Sequence, residues 1–372
     1  MPGRPQPASQ QGQGPGRAAG APARQGAHRA RGQGGGHAQG PDRQRRPQRP
    51  HPHLQLPAGA ADRPPHQPDA LQAGPDHGRR PRRRHPGAAG GTGGGAAGAA
   101  RRGPGVTVDE ALALARQLGV ERGDAQAWLT HHLGRDRAWL ITHGDALASG
   151  AEAGLRRLAA GEPLAHLTGR QSFHGIELRV TPATLIPRPD TETLVDWALE
   201  LLAALPGQPS VVDLGTGSGA IALAIKAACP RTRVTAVEFS AEALAVARGN
   251  GERLGLAVEW LHGSWFAPLL DRRFNLVVSN PPYIAGDDPH LPALRHEPIT
   301  ALTPGGGGLA DLHALIDAAP QHLVPGGWLL LEHGWEQAEA VGRALAARGF
   351  AETALRRDVA GRPRASGGRW LE

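Results

Sequence analysis

The sequence is poor in several residue types at once. Its 372 residues hold one cysteine, one lysine, one methionine and one tyrosine. A single thiol, Cys229, makes no internal disulfide and no cysteine-rich zinc site, which suits a reducing compartment. No uninterrupted apolar run approaches the ~18 residues that a membrane helix needs. The amino-terminal stretch has no apolar core of a secretory signal. These absences predict a cytoplasmic protein with no membrane partner. His131, His132 and His333 have no matching ligands at metal-site spacing, so no metal is expected either.

Charge is unevenly spread. Residues 1–104 carry 17 arginines against 4 acids, whereas residues 105–372 carry 24 basic and 30 acidic residues. The overall excess of +7 therefore averages a basic tail and an acidic body. The tail's only large apolar side chains apart from Met1 are Leu54, Leu56 and Leu71. Burying all three contributes roughly 5–9 kcal/mol, against an ordering cost on the order of 100 kcal/mol for such a length. A disordered tail rich in Arg, Gly and Pro is the expectation. Arg43–Arg46 and Arg82–Arg84 could touch phosphates, but with no aromatic residue to stack on bases such contact would be nonspecific. The arginine bias and the abrupt onset of amphipathic patterning at Val106 also raise the expectation that natural translation starts near Val106.

From Val106 the pattern changes. Val108, Ala111, Leu112, Ala115 and Leu118 recur at helical spacing, as do Ala125, Trp128, Leu129 and Leu133, and then Leu155, Leu158 and Ala159. This predicts a small helical bundle with Trp128 and Trp139 in its core. Phe173, Ile176, Leu178 and Val180 alternate around Gly175 and predict a hairpin. Pro182, Pro187 and Pro189 stiffen the connection into the large domain.

Beyond Ser210 strands and helices alternate. Strands are predicted at 211–214, 234–238, 258–261, 274–279 and 328–332, with helices at 220–228, 241–254, 309–319 and 337–347. That order predicts a doubly wound, Rossmann-like α/β sheet. The first strand runs into Asp213-Leu214-Gly215-Thr216-Gly217-Ser218-Gly219. Glycines let the main chain turn tightly and approach a ligand, and the amides at a helix start face it. Glu238 ends the next strand, where a carboxylate accepts from two ribose hydroxyls. Nicotinamide enzymes and S-adenosylmethionine enzymes share this arrangement. The G-x-G-x-G spacing, with an acid two residues before it, favours S-adenosylmethionine, whose positive sulfonium and amino groups suit Asp213.

The fourth strand of the large domain ends in Ser279-Asn280-Pro281-Pro282-Tyr283. An amide or exocyclic amine nitrogen is a poor nucleophile because its lone pair is delocalised. A transferase must hold the NH₂ so that the lone pair rises toward the methyl. The Asn280 side-chain oxygen and the Pro281 carbonyl can each accept one N–H, and neither proline offers a competing donor. Tyr283 can stack on the planar group. Catalysis is then expected from Asn280, Pro281 and Tyr283, with Pro282 completing the acceptor site.

These residues resemble a family. Gly161–Gly169, Thr184–Glu192 and Val278–Ile284 look like the release factor glutamine methyltransferases, and the resemblance covers roughly residues 106–372. It implies methylation of the glutamine side-chain nitrogen in the Gly-Gly-Gln loop of peptide chain release factors, the expected protein partner. It also implies cofactor contacts at Gly215, Thr216, Gly217, Ser218, Gly219, Glu238, Trp265 and Asn280, with Trp265 as an apolar wall. Glu238 stands where Asp is common, and Ser264 where an acid often precedes the aromatic residue. The expected organisation is a tail (1–104), a helical substrate-recognition domain (105–168), a hairpin linker (169–189) and a methyltransferase domain (190–372), working as a monomer. A ribosomal-protein glutamine methyltransferase, an adenine-N6 methyltransferase of DNA or RNA and a noncatalytic scaffold are the alternatives. The acidic body argues against the adenine enzyme, and the intact glycine loop against the scaffold.

Overall fold

The computed structural model describes residues 105–372, so the expected tail lies outside the described residues. Helices α1 (Val108–Gln117), α2 (Arg122–Leu133), α3 (Arg137–Thr142), α4 (Ala151–Ala159) and α5 (Leu164–Thr168) come first. Thr107 opens α1 with a capping box: its hydroxyl accepts from the Glu110 amide, and the Glu110 carboxylate accepts from the Thr107 amide. Val108, Ala111, Leu129, Leu140 and Leu155 are buried together. Trp128 belongs to that core, and its indole N–H donates to the Ala151 carbonyl at 2.9 Å. It packs so tightly on α4 that a Cβ at Gly154 would lie 2.2 Å from its ring. Trp139 departs from expectation. It is half-buried at the bundle's edge, stacked on His143 at 4.5 Å, with the Arg135 guanidinium over its ring.

Strands β1 (Arg170–Phe173) and β2 (Ile176–Arg179) form the expected hairpin. Its turn residues, His174 and Gly175, both have positive φ, 44° and 78°, as a tight turn matching strand twist requires. Helix α6 (Glu192–Ala203), which the apolar pattern had not announced, leads into the large sheet.

That sheet contains β3 (Ser210–Leu214), β4 (Arg233–Glu238), β5 (Glu259–His262), β6 (Phe274–Ser279), β7 (Leu323–Glu332), β8 (Ala351–Arg357) and β9 (Pro363–Arg369). The intervening helices are α7 (Ala220–Ala228), α8 (Ala241–Leu254), α9 (Ala310–Ala318) and α10 (Ala338–Arg348). The strand order is β5-β4-β3-β6-β7-β9-β8, parallel through β7 and antiparallel for the last two. Side chains alternate between two cores. Val211, Leu276, Val278 and Leu330 face α6 and α7, while Val212, Val277, Leu329 and Leu331 face α9 and α10.

The strands β8 and β9 went unpredicted. Ala351–Arg357 has little β-branched character, and β9 contains Gly367-Gly368. Those glycines are a packing requirement. A Cβ at Gly367 would lie 2.5 Å from Leu330 and 2.8 Å from Trp197, and one at Gly368 would lie 2.7 Å from Phe350. The chain order reverses between β3 and β6, which is where an open α/β sheet leaves a crevice at its carboxyl edge.

Candidate active site

A cavity of about 580 Å³ occupies that position, and three strand ends supply its key groups: Gly215 and Gly217 after β3, Glu238 on β4 and Asn280 after β6. The glycine loop is held by main-chain bonds. Gly215 and Thr216 donate to the Val237 carbonyl at 2.9 and 3.0 Å. Glu238 accepts from the Gly217 amide at 2.8 Å and from the Ser240 amide at 2.9 Å, so it ties the loop to the start of α8. Gly215 and Gly217 both adopt left-handed φ, 72° and 58°. A Cβ at Gly215 would press on the Trp265 ring at 3.1 Å, whereas one at Gly217 would meet open space. Trp265 holds a φ of 46°, a strained value for a non-glycine residue, and this turns its ring over the loop. Phe239, 71% exposed, lines the same wall.

Asp213 sits beneath the loop rather than in its wall. It is fully buried, accepts from the Thr216 hydroxyl at 2.6 Å and from the Ala222 amide at 3.2 Å, and its Oδ1 has no partner among the described residues. Burial pushes its carboxyl up to about 7 despite those two bonds. Thr216, Ser218 and Gly219 likewise do not line the crevice; they shape the turn and the start of α7. The expected direct contacts of these four residues thus fall one layer behind the surface, because the turn presents Gly215 and Gly217 outward.

The side of the crevice formed by Asn280 and Pro282 is built differently. Asn280 and Pro282 line the crevice, while Pro281 is buried. The Asn280 Nδ2 donates to the Thr191 hydroxyl at 3.2 Å, which leaves Oδ1 without a donor among the described residues. Tyr283 is not in the crevice wall. Its hydroxyl donates to Glu332 at 3.1 Å, and the Gln337 side chain donates to its carbonyl at 2.9 Å. Burial and the neighbouring Glu332 push the phenol well above its ordinary value. Tyr283 is therefore bonded at both its hydroxyl and its carbonyl, bracing the loop.

The segment Ile186–Glu192 turns out to be a set of braces. The Ile186 amide donates to buried Glu297 at 2.9 Å, and Arg188 pairs with the same carboxylate. Asp190 pairs with Arg364 of β9 at 3.0 Å, and Arg364 also pairs with Asp358 at 3.1 Å. Thr191 holds Asn280, and Glu192 accepts from the His174 amide at 2.8 Å. Arg295, in the loop after the reactive motif, donates to the Ala160 carbonyl at the end of α4, tying the helical bundle to the acceptor side. Sequence reasoning recognised this segment but assigned no role to Arg188, Thr191, Glu297, Glu332 or Arg364. It also passed over Asp311, which lines the crevice and whose carboxyl burial pushes up. Among the described residues no cluster of His, Cys, Asp and Glu is arranged for a metal ion, and no helix is long and apolar enough to cross a membrane.

Residues 192–333 match the family described as Methyltransferase small domain, and residues 110–169 match PrmC N-terminal domain. The release factor glutamine methyltransferase of Bordetella pertussis is 49% identical over 258 residues, spanning 67% of this chain and 95% of that protein. This chain belongs to the release factor glutamine methyltransferase family. The Escherichia coli member is 41% identical over 272 residues, 71% of this chain and 97% of its own length. A solved protein-(glutamine-N5) methyltransferase, release factor-specific, from Alicyclobacillus acidocaldarius is 33% identical, covering 52% of this chain and all of that one, with a TM-score of 0.34. Membership makes the chain a methyltransferase that uses S-adenosylmethionine. The crevice fits that donor. The open space above Gly217 admits a ligand against the main chain, and Glu238 at a strand end retains lone pairs for hydroxyl donors.

Proposed function

We propose that the chain transfers a methyl group from S-adenosylmethionine to the side-chain amide nitrogen of the glutamine in the Gly-Gly-Gln loop of a peptide chain release factor. One observation carries this reading: a carboxamide oxygen with no donor among the described residues, on Asn280, beside a glycine loop in the same crevice. The acceptor is the one for which the Bordetella and Escherichia relatives are named.

When bound, S-adenosylmethionine supplies an electrophilic methyl on a sulfonium. Gly215, Gly217, Glu238, Phe239 and Trp265 would hold it. The Asn280 oxygen and the Pro281 carbonyl accept the two N–H bonds of the incoming amide, fixing its plane. Positive charge building on nitrogen would then be met by two oxygens already in place; as the N–CH₃ bond forms the S–CH₃ bond breaks to leave a neutral thioether, and one of the two N–H protons is given up to solvent. Glu297, Arg188 and Arg364 keep that wall rigid from behind. We further read the protein as cytoplasmic and monomeric.

The test is a labelled-methyl assay offering a release factor, a ribosomal protein, DNA and RNA in parallel. Label on the glutamine of the Gly-Gly-Gln peptide is the expected result. Label on nucleic acid or ribosomal protein alone would overturn the reading.

A further inference from the structure

A carboxamide has two ends of nearly equal size, and only the oxygen end accepts an N–H. For Asn280 to grip an amide nitrogen, its NH₂ must face away from the acceptor. The contact at 3.2 Å between Nδ2 and the Thr191 hydroxyl has that polarity, but a hydroxyl both donates and accepts. Thr191 by itself would serve either orientation. The choice is made only if its single hydrogen is committed elsewhere.

Glu332 provides the commitment. Ser279 of β6 pairs with Leu331 of β7, so the next residues, Asn280 and Glu332, emerge side by side at the carboxyl edge of the sheet. Glu332 is 1% exposed; its Oε1 accepts from Tyr283, and its Oε2 is buried with no donor bonded among the described residues. The Thr191 hydroxyl, 4% exposed as a residue, accepts from Asn280 at 3.2 Å and turns its own hydrogen toward Glu332. The Thr191 hydroxyl thus stands between the asparagine and a buried carboxylate.

We propose that Glu332, through the Thr191 hydroxyl, fixes which end of the Asn280 carboxamide faces the crevice. Thr191 and Glu332 are positioning residues, and the proposal rests on the amide-methylation reading above. An ionised Glu332 draws the hydroxyl hydrogen, leaving the Thr191 oxygen to accept from Nδ2. A protonated Glu332 becomes a donor, frees that hydrogen for Oδ1 and lets the carboxamide turn over. Burial pushes the Glu332 carboxyl up to about 7, with the Thr191 hydroxyl, Arg364 and Tyr283 pulling it down and Asp190 pushing it further up. Its other charged or titratable neighbours are Asp358, held by Arg364, and His333, whose imidazole burial pushes down. The switch therefore lies near neutral pH, with the active polarity on its alkaline side.

Two measurements test this. The first needs no substrate: the side-chain amide resonances of Asn280 in ¹⁵N-labelled protein. They should shift in Thr191→Val and stay in Thr191→Ser. The second is steady-state transfer to release factor. Thr191→Val should lose roughly tenfold or more in kcat with little change in the KM for S-adenosylmethionine, and Thr191→Ser should remain within about threefold of the parent. The parent's kcat should fall on acidification through about pH 7, and Glu332→Gln should flatten that limb. Unchanged Asn280 resonances together with full turnover in Thr191→Val would overturn the proposal, as would an acid limb that persists in Glu332→Gln. The expected resonance shifts in a protein that leaves release factor unmethylated would support the orientation device and refute the acceptor instead.

Discussion

The two walls of the crevice are made of different material. The glycine loop on the proposed donor side is shaped by main chain: amides of Gly215, Thr216 and Gly217 bonded to Val237 and Glu238, within one turn between strand and helix, with the side chains of Glu238, Phe239 and Trp265 around it. The acceptor side is side chain: Asn280, Thr191, Tyr283, Glu332, Arg364 and Asp190, drawn from separate segments of the chain. A wall of main chain fails through added bulk or altered backbone. A wall of side chains fails through loss of a single polar atom. Substitution should therefore separate binding from turnover.

The sharpest break is on the donor side. Gly217→Val forces a branched side chain into left-handed φ and into the open space that the proposed donor would fill. Binding of S-adenosylmethionine by calorimetry should weaken by roughly a thousandfold or more, beyond ~4 kcal/mol. Next, Asn280→Ala should leave that affinity within a few-fold but reduce kcat by roughly 10²–10³, the loss typical of one preorganised polar group. If both variants lost affinity equally, the division into two walls would fall.

The smallest effect concerns stability. Burial holds the Asp213 carboxyl near 7, far above its ordinary value, so the folded state keeps a proton that the unfolded chain gives up. That favours folding at low pH and is lost as pH rises from about 4 through 7. Asp213→Asn keeps an acceptor for Thr216 and Ala222 but does not titrate. Urea unfolding at pH 5 and pH 8 should show a smaller drop for the variant than for the parent, by on the order of 2 kcal/mol. An equal drop in both would show that Asp213 is already ionised at pH 5.

The same contrast explains what the sequence disclosed. The glycine loop, Glu238 and Asn280-Pro281-Pro282-Tyr283 are contiguous or lie at strand ends, and contiguous chemistry leaves a readable pattern. Parallel strands read clearly because they are buried on both faces and carry continuous apolar runs. Thr191, Glu332 and Arg364 do their work across the sheet, where spacing along the chain carries no signal. The bond from Tyr283 to Glu332 left no trace in the sequence, because Glu332 arrives only once β7 lies beside β6. Strand β9 escaped notice because Gly367 and Gly368 answer to Trp197 and Phe350 overhead rather than to strand propensity. Helix α6 escaped because its start is disguised by a run of prolines that looks like pure linker.

Strand β9 also sets an order of events. Arg364, the cation that steadies Asp190 beside Thr191, belongs to the last strand of the described fold, inserted between β7 and β8. The glycine turn takes its bonds from β4 alone, through Val237 and Glu238. The grip on the acceptor waits for almost everything else. Clipping ahead of β9 would remove Arg364, and with it the cation paired with Asp190 beside Thr191, while leaving the bonds of the glycine turn in the chain that remains.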